Sequence, residues 1–124
     1  AQYGTGWLGG IDTPEQSAVM VSGIKQALLK TGRHIDEDHY GATFSFRFGH
    51  ENDDPVQHAA KGLATRVKDP RQTMVAGNAE AIIRRIHEYI DAGCSKFVML
   101  PIAGNDAEMM AQTRLFINEI VPEF

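Results

Sequence analysis

Asn78–Gly104 (NAEAIIRRIHEYIDAGCSKFVMLPIAG) constrains the fold of this chain more than any other stretch. Asn78 suits a helix N-cap. Ala79, Ile82, Ile83, Ile86 and Ile90 recur at helical spacing and make one apolar stripe. Gly93 stands where a left-handed C-cap belongs. Lys96–Leu100 is then apolar almost throughout, the pattern of a parallel strand covered on both faces. A helix that feeds a buried strand through a short turn is half of a βαβ unit.

The remaining sequence continues that alternation. Gly4–Leu8 reads as a strand end, with Gly9 and Gly10 as the turn after it. Thr13-Pro14-Glu15-Gln16 starts a helix: Thr13 as N-cap, Pro14 at the first helical position, Gln16 closing a capping box. This helix runs to about Lys30, with Ala18, Val21, Ile24 and Leu28 on one face, and Thr31-Gly32 ends it. In His39–Phe48 the residues Tyr40, Ala42, Phe44, Phe46 and Phe48 alternate with Gly41, Thr43, Ser45 and Arg47, which predicts a strand. Gly49–Pro70 is irregular, with a turn or helix start at Asn52-Asp53-Asp54-Pro55 and a short helix within Val56–Val67, weakened by Gly62. Met74–Ala76 is an extended lead into the second helix. Asn105-Asp106-Ala107-Glu108 is a further capping box, and Met109, Phe116, Ile117, Ile120 and Val121 line the final helix until Pro122. The order is strand, helix, strand, irregular insert, helix, strand, helix, which argues for a parallel sheet in one α/β domain, residues 1–124.

Composition narrows the function classes. A net charge of −4 without a basic cluster gives no nucleic-acid footprint. No apolar run is long enough to span a membrane, and Ala1 begins no signal-peptide pattern. The single cysteine, Cys94, forms no internal disulfide, which fits a reducing cytoplasm; it follows a helix stop and reads as a small packed residue.

Few residues carry an obvious chemistry. Gly4-Thr5-Gly6-Trp7-Leu8-Gly9 formally matches GxGxxG, but a dinucleotide turn needs a strand before it and a helix at its third glycine. Only three residues precede the motif and the helix cap comes at Thr13, so relief of crowding at a strand-to-helix turn is the alternative. His34, His39, His50, His58 and His87 show no HExxH spacing and no Cys/His metal cluster. Gly77-Asn78 opens a helix that either receives an anion or is merely capped. Met109-Met110 suits core or interface, and Arg84-Arg85 a solvated helix face. No Ser/His/Asp order, P-loop or paired-carboxylate motif stands out, so no catalytic side chain is assigned.

Taken in order, Gly4–Ile11 (GTGWLGGI), Thr13–Gln16 (TPEQ), Val75–Asn78 (VAGN), Ala92–Ile102 (AGCSKFVMLPI) and Asn105–Phe124 resemble the C-terminal part of luciferase-like flavin- or F420-dependent monooxygenases and oxidoreductases. The resemblance implies the last three βα units of a (β/α)8 TIM-like barrel. A whole barrel needs about 250 residues, so the earlier strands would lie outside this chain. In such a barrel the aromatics of His39–Phe48 face the helices and Arg47 points inward at the mouth. The resemblance implies FMN or coenzyme F420 as cofactor, with the cofactor supplying the redox chemistry. It sets Trp7, Gly9 and Gly10 beside the flavin ring. It also offers Arg47 to a phosphate or acidic group; the alternative for Arg47 is a salt bridge to Glu51 or Asp53. Arg71, with Gln72 as the neighbouring candidate, matches a basic residue that binds a substrate phosphate in related deazaflavin enzymes; surface solvation is the plainer role. His50, after Phe48-Gly49, would face substrate. Two other outcomes stand beside this one. A piece with open sheet edges self-associates as a homo-oligomer without binding cofactor, or the chain is a small doubly wound α/β binding domain whose sheet is covered on both faces.

Overall fold

The aromatic alternation at His39–Phe48 becomes strand β2, Tyr40–Phe48, in a computed structural model that describes residues 2–124. Tyr40, Ala42, Phe44 and Phe46 are buried, while Thr43 and Ser45 between them are half-buried. The chain divides into two units: Ala1–Phe44 with Ile86–Val98, and Ser45–Arg85 with Met99–Phe124. Strand β2, helix α3 (Ala79–Asp91) and strand β4 (Lys96–Pro101) contribute residues to both.

In the first unit, strand β1 (Trp7–Leu8) pairs in parallel with the start of β2, Trp7 opposite Tyr40 and Leu8 opposite Gly41. It is shorter than the Gly4–Leu8 expectation because Gly4 and Gly6 bring no side chain to pack. A Cβ on Gly6 would stand 2.9 Å from the His39 carbonyl oxygen. Helix α1 (Pro14–Thr31) starts as the sequence predicts: the Gln16 N–H donates to Thr13 Oγ1 (3.2 Å) and the Thr13 N–H donates to Gln16 Oε1 (2.9 Å). Its face buries Val21 and Leu28 against Ile35 and Tyr40, with Trp7 and Ile24 packed alongside. From α3, Tyr89 is fully buried and stacks on Phe44, centroids 4.9 Å apart. Its hydroxyl donates to the Asp12 carbonyl at 2.7 Å. The buried stripe of α3 therefore ends Ile82, Ile86, Tyr89, a step of four and then three, and Ile90 is left 38% exposed. Gly93, at φ 97°, turns the chain out of α3 as expected. Cys94 is buried, and burial, then the nearby Asp12 carboxylate, push its thiol above the ordinary range.

In the second unit, Met74–Gly77 is a true strand, β3, paired in parallel with the end of β2 from Ser45–Met74 to Phe48–Gly77. Four residues are too few to show a period, so the sequence suggests only an extended lead. Helix α2 (Asp54–Leu63) stops earlier than the Val56–Val67 window, and its Val56 packs with Met74 and Ile102. Arg85, expected on a solvated face, is half-buried and donates from Nη1 to the carbonyls of Gln72 (2.9 Å) and Met74 (3.0 Å). Helix α4 (Asp106–Glu119) presents Phe116 to Phe46, centroids 4.8 Å apart. It buries Gln112, and Ile120 is buried just past its end, whereas Met109, Ile117 and Val121 are exposed.

Strand β4 departs from the expectation of cover on both faces. Lys96, Val98 and Leu100 are exposed and the residues between them half-buried, so one face is open. A doubly wound domain with a fully covered sheet would not leave this row in solvent. β4 pairs with β2 in the same sense: the Ser95 N–H donates to the Tyr40 carbonyl and the Ile102 N–H to the Phe46 carbonyl, both at 2.8 Å. Between those bonds β4 holds one more residue than β2, as a bulge does, where Pro101 has no N–H to give. The architecture is α/β with parallel strands in an open sheet. Among the described residues no helix is long and apolar enough to cross a membrane.

Candidate functional site

Ligands of parallel α/β sheets collect at the carboxyl ends of the strands, where loops replace the ladder. In the second unit the end of β2 is tied by charge. Arg47 is 8% exposed. Its Nε donates to Asp53 Oδ2 (3.0 Å), Nη2 to Glu108 Oε1 (2.9 Å) and Nη1 to the Ile102 carbonyl (2.9 Å). Glu108 also accepts from the Gly104 N–H, and Asp53 Oδ2 from the His50 N–H at 3.1 Å. These bonds explain two departures at helix starts. Asp53 makes no side-chain cap on α2, and Glu108 closes only half of the capping box, since Asn105 accepts its N–H but its own carboxylate is turned to Arg47 and Gly104. The Glu108 carboxyl is held below its usual range by Arg47 and then by the Gly104 N–H; that of Asp53 by the His50 N–H and then by Arg47. The hydrogen bond it donates to Glu108 raises the Arg47 guanidinium above its ordinary range. One cation between two carboxylates leaves this cluster with a formal charge of −1.

Helix α4 supplies one more polar group to the same strand end. Gln112, buried, accepts the Phe48 N–H at 2.7 Å and donates to the Phe48 carbonyl at 3.0 Å. His50 follows on an exposed loop, and among the described residues its imidazole has no hydrogen-bond partner. Arg71 is exposed, donating to the Glu51 carbonyl (3.1 Å) and to Gln57 Oε1 (3.2 Å). With Arg85 and Val56 it borders a cavity of about 160 Å³. Gln72 lends this unit its carbonyl, to Arg85.

In the first unit the end of β1 is built from backbone and ring. A Cβ on Gly9 would lie 2.8 Å from the Trp7 indole and 3.1 Å from the Asp12 carboxylate, whereas one on Gly10 would meet nothing within 4 Å. Gly9 is therefore required by Trp7, and Gly10 leaves an open surface. Trp7 itself is half-buried, packed toward α1. No helix opens at Gly9, as the dinucleotide reading of GxGxxG would need; α1 starts at Pro14. A depression of about 770 Å³ in this unit is bordered by both residues of β1, Trp7 and Leu8, and by His39, Gly41 and Lys96 at the starts of β2 and β4. Asp36, Asp38 and His39 bring one ligand atom each within 4.8 Å of one another on an exposed turn; His39 Nδ1 already pairs with the Thr5 carbonyl at 2.8 Å.

Of the residues singled out in the sequence, Trp7, Gly9 and Gly10 thus belong to one unit and Arg47, His50 and Arg71 to the other. Arg47 meets the expected carboxylate, Asp53, and a second, Glu108, whose place in the sequence points only to a helix cap. Gln112 was missed: a polar residue in an amphipathic helix reads as solvent-facing unless the helix register is already known.

No family model matches the sequence, and no curated protein matches it. Among solved structures, the chain is similar to an F420-dependent secondary alcohol dehydrogenase in complex with an F420-acetone adduct, with a TM-score of 0.68 at 16% identity. The match covers 95% of this chain and 42% of that one, so the chain spans less than half the length of the protein whose fold it shares.

Proposed function

We propose that this chain forms part of an F420- or flavin-dependent oxidoreductase, with each unit contributing groups to cofactor or substrate binding. The carrying observation is the shared fold over 95% of the chain with an F420-dependent dehydrogenase. In this reading the open surface at Gly10, flanked by Trp7 and Gly9, lies against the flat ring of the cofactor, because no Cβ keeps a ring from the backbone there. His50 and Arg71 face substrate as the polar groups of the second unit. Arg47 acts beside them by fixing the strand end; an anion reaching it competes with Asp53 and Glu108. The cofactor, when bound, supplies hydride chemistry. The protein's own groups bind, orient and exclude water. F420 is the first cofactor to test and FMN the second.

Titration of the chain with F420 and, separately, FMN tests the reading, followed through Trp7, its single tryptophan. Saturable quenching by either supports it and selects the cofactor. Absence of quenching by both sinks it for this chain.

The exposed strand residues favour a second reading, association between copies without cofactor. Leu8 is 58% exposed in the first unit, and Leu100 is 47% exposed in the second. Sedimentation velocity across a concentration series that yields only monomer counts against that reading.

A further inference from the structure

We infer that Gln112 is a positioning residue for the loop after β2 and, through it, for His50; the inference rests on the reading of the β2 end as part of a ligand site. The Ile102 N–H is the backbone donor that serves the Phe46 carbonyl. Phe46 and Phe48 direct their backbone groups to the same edge of β2, because alternate residues of a strand share an edge. At Phe48 the partner is no longer a backbone. The Gln112 side chain gives both bonds that a neighbouring strand would give, accepting the N–H at 2.7 Å and donating to the carbonyl at 3.0 Å. On the other edge the Gly49 N–H donates to the Gly77 carbonyl at 3.1 Å. The next residue, His50, is held by its own N–H on Asp53, which Arg47 holds in turn. The backbone is therefore fixed on both edges up to His50, while the imidazole stands in solvent without a hydrogen-bond partner among the described residues. A fixed backbone beneath an exposed imidazole is the arrangement a ligand-facing side chain needs.

Amide hydrogen exchange on the whole chain tests this with Gln112→Met, which keeps length but loses both bonds, and Gln112→Glu, which keeps the acceptor. In Gln112→Met, exchange at Phe48, Gly49 and His50 is expected to rise roughly tenfold or more, with the β3 amides unchanged. In Gln112→Glu the Phe48 N–H should remain protected, a partial rescue that a space-filling role would not give. Unchanged exchange at Gly49 and His50 in Gln112→Met overturns the inference. So does equal acceleration across the whole unit in both variants, which marks a packing role. The wild-type protein supplies an arm that needs no variant: fast exchange at Phe48 and His50 there also overturns it. F420 titration of the same samples bears on the function separately. Affinity about tenfold weaker in Gln112→Met supports His50 as ligand-facing. A loosened loop with unchanged affinity removes His50 from the ligand site and leaves the clamp standing.

Discussion

The two strand ends solve one problem by different chemistry. After β1 the chain turns away with glycines and a half-buried indole. After β2 a buried arginine, two carboxylates and an amide tie down the strand and the starts of two helices. A glycine turn makes room and leaves backbone open to a flat group. A charged knot makes direction, because each bond needs its partner at a fixed angle. The first leaves backbone uncovered, the second holds a loop still.

Breaking the knot should have the largest effect. Arg47→Met leaves Asp53 and Glu108 facing each other and the Ile102 carbonyl unserved. The loss is expected to be the largest of the series, because a buried cation leaves two half-exposed carboxylates and a carbonyl without their shared donor, and urea denaturation measures it. Acid loosens the same cluster without mutation. Asp53 and Glu108 titrate below their unfolded values, so their contribution is present above about pH 4, the unfolded carboxylate range, and is lost as pH falls through the lower folded values. Melting followed between neutral and acid pH should show a steeper fall for wild type than for Asp53→Asn with Glu108→Gln. Parallel curves would deny the cluster any pH role.

The glycine turn gives smaller effects that differ between adjacent residues. Gly9→Ala forces the Trp7 ring aside and should destabilise by about 1–2 kcal/mol, with a shift in tryptophan emission. Near the same turn, Tyr89→Phe leaves the Asp12 carbonyl without its donor and should cost about 1 kcal/mol by thermal melting. Gly10→Ala meets no atom and should stay within about 0.5 kcal/mol of wild type. If the open surface receives a ring, that same silent variant should weaken F420 binding. Equal affinity would separate Gly10 from the cofactor.

Local rules made most elements legible. Thr13, Pro14 and Gln16 start α1 wherever it lies, because the cap bonds are made within four residues. Gly93 closes α3 for a similarly local reason, and the aromatic alternation of β2 names its own buried face. The candidate site was legible only in part. Arg47 was readable as an inward cation because it falls on the opposite parity from four buried residues.

What the sequence by itself determined is therefore what neighbours in the chain decide: caps, periods and stops. Tertiary structure decided the rest. It made Met74–Gly77 a strand by giving it β2 to pair with. It turned Glu108 from its own helix cap to Arg47, 61 residues away in sequence, and it placed Gln112 under Phe48 at a separation of 64. A lone period cannot specify such bonds, because their energy exists only when two distant segments meet and exclude water between them.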